Sequence, residues 1–248
     1  MDTVANAPPV LGSEAPCSQP RAVSRPRQGI RRVLVCLDHS RLSEVSLPHA
    51  VFMSKTFGSA MTLLHVMQPP HERPGPSTTD ALGWAISRQE ANAYLARFER
   101  ELTEASGQRV DTRLEQGHPA ERILALAREI HADLIVLGSH GEGGVTSWNL
   151  GSTVQQILSM ARVSVLIAHS AADVPSVVIP KRILVPLDGA LRTESVLPTV
   201  ARIATAHGAE VLLVHVVPEP QPTTVLHATK NLELARKLAT RLESRAKR

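Results

Sequence analysis

The stretch LIVLGSHGEGGVTSWNLGSTVQQIL, residues 134–158, decides the fold. Its first four residues are aliphatic, which is typical of a strand buried on both faces of a sheet. A glycine-rich loop from Gly138 to Gly151 follows, and Ser152 then opens a helical pattern with Val154 and Ile157 on one side. Strand, glycine loop and helix N-terminus together favour phosphate binding, because glycines allow close backbone approach and the helix dipole attracts an anion.

The glycines of this loop follow the spacing G-x2-G-x9-G-[S/T], which is met by Gly138, Gly141, Gly151 and Ser152. The loop is not a P-loop, because it contains no Gly-Lys-Ser/Thr, and it is not a dinucleotide fingerprint, because Thr146 stands where the last glycine belongs. The hydroxyls of Ser152 and Thr153 can cap the helix or donate to a phosphate oxygen. A second interpretation is that the glycines only make a tight strand-to-helix turn.

Composition favours a globular protein without a membrane span. The chain has 248 residues, enough for one or two domains, with 43% hydrophobic and 20% charged residues. No apolar run approaches the roughly 18 residues that a membrane helix needs, and the N-terminus lacks the apolar segment of a secretory signal. Cys17 lies in a polar tail and Cys36 in an apolar strand, so we expect no disulfide, no zinc site and a cytoplasmic location.

The formal charge is +4, and much of the excess lies at the two ends of the chain. Residues 1–29 are rich in Pro, Ser, Ala and Arg without periodicity, which predicts a disordered basic tail. Aromatic residues make up only 2% of the chain and do not alternate with the basic residues as a base-stacking surface requires. We therefore expect solvated charges and no specific nucleic-acid partner.

Hydrophobic periodicity predicts alternating strands and helices between residues 30 and 170, in the order β-α-β-α-β-α-β-α-β. This order implies an α/β fold, with a mainly parallel sheet covered by helices on both faces. Pro48 lies inside the predicted helix 41–57, where a kink or loosened turn is expected. The alternation in residues 109–115 predicts a half-exposed edge strand.

The chain then repeats itself. After a linker at residues 171–180, Asp188, Glu194 and Gly208 follow Asp38, Glu44 and Gly58 at a constant offset of 150 residues, without gaps as far as Pro220. The repeat therefore predicts that residues 181–248 form an incomplete second domain with the order β-α-β-α and without a glycine loop. Two strands and two helices are only marginally stable on their own, so we expect the incomplete second domain to pack on the first domain or on another subunit.

The strand ending in Asp38 with Ser40 after it, the LLHV strand ending in Val66, the turn at Gly117 and Pro119, and the glycine loop resemble the universal stress protein family. The resemblance covers about residues 30–169, with part of a second copy behind it. It implies a five-stranded sheet in the order 3-2-1-4-5, with ATP bound at the carboxyl ends of strands 1 and 4, where open α/β sheets bind ligands. It also implies dimers, or a pseudo-dimer within one chain.

The resemblance further implies the ligand contacts. Asp38 and Val66 would flank adenine and ribose, although a strand-end Asp followed by Ser40 is also a common helix cap and Val66 also suits a plain core. His140 would contact phosphate or stay exposed without a role. The full set of implied binding residues is Asp38, Ser40, Val66, Leu137, Gly138, Ser139, His140, Gly141, Gly151, Ser152 and Thr153.

Three functions remain open at this point. The first is a stress-response or signalling protein that binds ATP, with Mg²⁺ left open as a companion ion, and hydrolyses it slowly or not at all. The second is an ATP-hydrolysing or nucleotidyl-transferring enzyme, although the loop from Gly138 to Gly151 contains no Lys or Arg to clamp phosphates. The third is a dimerisation module without a ligand.

Overall fold

The computed structural model describes residues 29–68, 79–139, 150–169 and 178–216. The expected basic tail, most of the linker and the expected last helix lie outside these ranges. The elements in chain order are β1 (Arg32–Leu37), α1 (Arg41–Glu44), α2 (Ser46–Phe57), β2 (Ala60–Met67), α3 (Thr79–Ser106), β3 (Val110–Gln116), α4 (Pro119–Glu129), β4 (Leu134–Gly138), α5 (Ser152–Met160), β5 (Ser164–Ala168), β6 (Arg182–Pro186), α6 (Leu191–Glu194), α7 (Leu197–His207) and β7 (Glu210–Val214).

The first unit is an α/β fold around a five-stranded parallel sheet. Its strand order is β3-β2-β1-β4-β5, which confirms the predicted order 3-2-1-4-5. The central strand β1 lies between β2 and β4, with Val35 opposite both Leu63 and Val136. At one edge, β3 is half-exposed, as its alternating pattern predicts.

Helices cover both faces of this sheet because side chains alternate along each strand. Val33 and Val35 point to the face that packs against α2 and α3. Leu34, between them, points to the opposite face and packs with Ile123 of α4 and Ile157 of α5. The hydrophobic cores on the two faces of the sheet are both fully buried at β1, where residues 33–35 have no exposed surface.

The predicted helix 41–57 is broken, and Pro48 supplies the reason. The segment forms two helices, α1 ending at Glu44 and α2 beginning at Ser46. Pro48 has no N–H to donate to the carbonyl of Glu44 four residues earlier, so the backbone bond that would join the two helices is absent. Gly58 ends α2 in a left-handed conformation with φ 67°, as expected of a helix C-cap.

The second unit is a smaller copy of the same β-α-β arrangement. Strands β6 and β7 pair in parallel, and α7 packs against β6 through Val185 and Val200. On the opposite face, Leu184 is 61% exposed, although its counterpart Leu34 in the first unit is fully buried. The first unit covers that face with α4 and α5, and none of the described residues of the second unit takes their place.

The two units contact each other through α2 and α7. The ring of His207 lies 4.6 Å from that of Phe52, and its Nε2 is 2.7 Å from Thr56 Oγ1. That hydroxyl already donates to the Phe52 carbonyl, so it accepts from His207. The Arg202 guanidinium lies 5.0 Å from the centre of the Phe57 ring and donates to the Thr56 carbonyl at 3.3 Å. The second unit therefore packs on the first.

Candidate functional site

A cavity of about 1070 Å³ opens at the carboxyl ends of β1, β2 and β4. It lies where the chain leaves neighbouring strands toward opposite faces of the sheet, the usual ligand position in open α/β folds. Most of the predicted binding residues that the structure describes line it: Asp38, Val66, Leu137, Gly138, Gly151, Ser152 and Thr153. His140 and Gly141 lie outside the described residues.

The N-terminus of α5 forms one wall of this cavity. The helix begins at Ser152 with Gly151 at the N-cap position, and no side chain caps its first turn. Ser152 and Thr153 therefore occupy the first two helical positions, and the alternative that they cap the helix is not observed. Amides in the first turn of a helix have no partner within the helix, so this turn presents donors and the positive end of the dipole to the cavity.

Two nearby amides are not available to a ligand. The amide of Gly151 donates to the Ser139 carbonyl at 3.1 Å, and the amide of Ser139 donates to the Ala168 carbonyl at 2.8 Å. Ser139 is buried, its hydroxyl lies 3.2 Å from His169 Nδ1, and it does not line the cavity. Of the described amides at this end of the cavity, those that follow Gly151 are the ones left to bind a ligand.

Asp38 holds the turn between β1 and α1. Its Oδ1 accepts from the amide of Ser40 at 3.0 Å and from the Ser40 hydroxyl at 2.5 Å. The same hydroxyl accepts from the amide of Ser43 at 3.0 Å and so caps α1. Ser40 is engaged in this turn and is not among the residues that line the cavity, whereas Asp38 both holds the turn and reaches the cavity wall.

The repeat shows that this turn forms without a glycine loop. In the second unit, Asp188 Oδ1 accepts from the amide of Ala190 at 2.8 Å and from the Thr193 hydroxyl at 2.6 Å. These hydrogen bonds, first that from Thr193, lower the pKa of Asp188. An Asp at this position therefore has a structural role in both units, and any ligand contact by Asp38 is additional to it.

Two histidines line the cavity beside Asp38. The rings of His39 and His65 stack with centroids 4.5 Å apart, and His39 also lies 4.1 Å from the ring of Tyr94 on α3. The Nδ1 of His65 lies 2.9 Å from the Leu37 carbonyl, so this nitrogen carries a proton and donates. The sequence analysis did not predict that His65 lies on the cavity wall.

His39 lines the cavity, and the sequence analysis did not identify it. It has φ 67°, a left-handed conformation that glycine adopts readily and other residues adopt at a cost. Its counterpart in the repeat is Gly189, with φ 87°. The contrast of His with Gly at one repeat position is a signal in the sequence, but the backbone conformation that gives it meaning is visible only in the structure.

The described part of the cavity wall has few charged groups. Its carboxylates are Asp38 and Glu90, and no lysine or arginine occurs among its described residues. The Cys36 thiol also lines it, but burial raises the pKa of this thiol and keeps it neutral. The described residues therefore place no activated thiolate and no fixed positive charge at the cavity.

Two further searches of the described residues gave negative results. No group of three or more His, Cys, Asp or Glu side chains there is arranged to hold a metal ion. None of the helices in those ranges combines the length and the apolar character that a membrane span requires.

Comparison with known proteins places the fold in a family. The family model described as "Universal stress protein family" matches residues 29–169 and 180–248. A universal stress protein of Thermus aquaticus is 30% identical over 143 residues, which cover 56% of this chain and 98% of that protein. One from Methanocaldococcus jannaschii is 24% identical over 139 residues, covering 55% of this chain and 81% of that protein.

A solved structure extends the similarity across both units. A universal stress protein from Archaeoglobus fulgidus matches with a TM-score of 0.60 and 20% identity, over 83% of this chain and 74% of that one. At this identity the match shows the fold alone. Together with the strand order, the glycine loop and the match of the family model to both copies, it supports one conclusion: the chain belongs to the universal stress protein family.

Proposed function

We propose that this universal stress protein binds ATP in the cavity at the carboxyl ends of β1 and β4, and regulates a stress response or signalling process with slow or no hydrolysis. The observation that carries the proposal is the uncapped first turn of α5, which opens into the same cavity as Asp38 and Val66. Such a turn binds a phosphate group through its amides and its dipole. The spacing of the glycines is that of the family's ATP-binding signature.

The other end of the cavity suits an adenosine. Asp38 brings a carboxylate that can accept from a ribose hydroxyl or an exocyclic amine. Val66, Ile123 and Leu137 supply apolar wall for a planar base. The volume of about 1070 Å³ matches the largest small-molecule sites, which run to roughly 1,000 Å³, and this supports a ligand as large as a complete nucleotide.

Regulation by binding is favoured over fast catalysis. Efficient phosphoryl transfer needs metal ligands, a cationic clamp and a positioned nucleophile. The described cavity wall has no Lys or Arg, and its one cysteine is buried and neutral. If Mg²⁺ accompanies ATP, phosphate oxygens and water would supply most of its ligands, since the described cavity wall offers only the carboxylates of Asp38 and Glu90.

The remaining expectations are proposals on the same basis. We infer that residues 30–170 form the nucleotide-binding domain and 181–248 a second domain that packs on it as an intrachain pseudo-dimer, supported by the contact of α2 with α7. A cytoplasmic location is supported by the reduced, buried Cys36. Association of two chains into a homodimer remains a separate proposal, which sedimentation of the full chain tests.

Calorimetric titration of the full chain with ATP, GTP and adenosine tests the proposed function. We expect a roughly micromolar dissociation constant for ATP, weaker binding of adenosine and negligible turnover with Mg²⁺. Rapid phosphate release would favour the enzyme hypothesis. Absence of heat with every adenine nucleotide would favour a dimerisation module without a ligand.

A further inference from the structure

The helix α3 is longer than the core of the first unit requires. It has 28 residues, and the buried side chains of its second part pack toward the sheet: Ala91, Leu95, Phe98 and Leu102. By contrast, none of residues 82–90 is buried. The part of α3 that precedes Ala91, about three turns long, therefore contributes nothing to the core that the second part forms.

This first part of α3 stands beyond the carboxyl edge of the sheet. Because α3 connects two parallel strands, β2 and β3, it starts at that edge and runs back along the sheet. Tyr94 marks the level of the edge, since its ring lies 4.1 Å from the ring of His39, which follows the end of β1. The residues before Tyr94 therefore extend over the open end of the sheet, where the cavity lies.

One side of the projecting part lines this cavity. Trp84, Ser87 and Glu90 recur every three residues along the helix, and all three are cavity residues. Trp84 lies seven residues before Ala91, so it continues the line of side chains that enters the core, at a level where the cavity takes the place of the sheet. It is half-buried there, whereas Leu82 and Ile86, on the side of the helix opposite Trp84, are 69% and 49% exposed.

The helix α3 belongs to the end of the cavity that is proposed to hold the nucleoside. It packs against β2 and β3, on the β2 side of the central strand, and β2 carries Val66. Its Tyr94 contacts His39, the neighbour of Asp38, and Glu90 lies one helical turn before Tyr94. The first turn of α5, proposed for the phosphates, follows β4 on the other side of the central strand.

The three side chains match a nucleoside chemically. An indole ring stacks on any planar base, and Trp84 is the largest aromatic side chain among the described cavity residues. The Ser87 hydroxyl and the Glu90 carboxylate can accept hydrogen bonds from ribose hydroxyls or from an exocyclic amine. A carboxylate repels phosphates, so Glu90 also suits the nucleoside end better than the phosphate end.

We propose that Trp84, Ser87 and Glu90 of α3 form the outer wall of the nucleoside subsite, with the Trp84 indole stacked on the base and the two polar groups bonded to the nucleoside. The proposal rests on the proposed function and adds contacts that lie outside the glycine signature. Because these groups meet the nucleoside and not the phosphates, their removal weakens binding of adenosine and of ATP by the same factor.

Titration of the full chain with ATP, adenosine and inorganic tripolyphosphate tests the proposal. We expect Trp84→Ala to weaken the binding of ATP and of adenosine by about tenfold each, the effect of one lost stacking contact, and to leave tripolyphosphate unchanged. Trp84→Phe should retain most of the affinity, because a phenyl ring also stacks on a base. The melting temperature should stay within about 2 °C of the wild type, since Trp84 lies outside the core.

Matched variants separate the cavity side of the helix from its outer side. Leu82→Ala and Ile86→Ala change exposed apolar side chains of the same turns and should leave all three affinities unchanged. Glu90→Gln should weaken ATP and adenosine severalfold. Stronger binding of tripolyphosphate by this variant would place Glu90 at the phosphate end and overturn its assignment.

The inference about α3 and the proposed function fail in different ways. If Trp84→Ala bound adenosine and ATP as tightly as the wild type, or lost tripolyphosphate as strongly as ATP, the nucleoside wall would be refuted and ATP binding by the wild type would stand. If the wild type bound neither ATP nor adenosine, the proposed function would be overturned and this inference with it.

Discussion

Replacing Asp38 by Asn separates the two roles that this residue has been given. The carboxylate holds the β1–α1 turn through two hydrogen bonds from Ser40 and also lines the cavity. Asparagine keeps an acceptor oxygen for the turn, but it replaces the other carboxylate oxygen by an amide nitrogen and removes the charge. Alanine removes both functions. The two variants together therefore distinguish a structural from a ligand-binding contribution.

The expected magnitudes follow from these bonds. Hydrogen bonds to a charged group contribute about 1.5–3 kcal/mol, and the turn is partly buried, so Asp38→Ala should lower the free energy of unfolding by about 2 kcal/mol. Asp38→Asn should cost less than about 0.5 kcal/mol, since Asn is as good as Asp in such turns. Both should weaken ATP binding about 10- to 100-fold, the effect of one lost charged hydrogen bond.

Denaturant unfolding and calorimetric titration measure the two quantities separately. Asp188→Asn is the matched control, because Asp188 holds the same turn in the second unit through the amide of Ala190 and the hydroxyl of Thr193, and no glycine loop follows there. It should change neither the affinity for ATP nor its stoichiometry. If Asp38→Asn bound ATP as tightly as the wild type, Asp38 would be only a helix cap and its assignment to the ligand site would be refuted.

Four further variants test the fold and the loop. Leu34→Ala removes a fully buried side chain and should cost about 3 kcal/mol in denaturant unfolding, whereas Leu184→Ala, at the 61% exposed counterpart, should cost less than about 1 kcal/mol; equal costs would contradict the assigned faces. Gly151→Val should lower ATP affinity about tenfold or more by crowding the cavity, with little change in the melting temperature, because φ −56° and ψ 149° are accessible to valine. Gly58→Ala should cost about 1 kcal/mol, since its φ is 67° and no atom lies within 4 Å of the added carbon; a neutral result would show that the helix end relaxes.

The sheet of the first unit was predictable because its strands have simple hydrophobic patterns. The strand 134–137 is entirely aliphatic, as a central parallel strand requires, and residues 109–115 alternate as an edge strand should. The proline at position 48 predicted a disturbance but not its form. The place of the break, at Val45, depends on which carbonyl loses its donor.

The cavity was less predictable, because spacing shows which residues are near but not which groups are already engaged. Ser40 and Ser139 fit the family pattern, yet their polar groups are bonded to Asp38 and to the end of β5. His39 escaped notice because its significance depends on a backbone conformation and on Tyr94, which comes from a helix about fifty residues later. Such long-range contacts leave no mark in local periodicity.

The contact between α2 and α7 has a reciprocal form. By the offset of 150 residues, Phe52 corresponds to Arg202 and Phe57 to His207. Phe52 meets His207 and Phe57 meets Arg202, so each residue touches the counterpart of the other, as across a twofold axis. In these two contacts α2 supplies the rings of Phe52 and Phe57, and α7 supplies the nitrogen-bearing side chains of His207 and Arg202. Two α7 helices brought together in this way would oppose basic groups, so the two halves of the chain are matched as unlike partners.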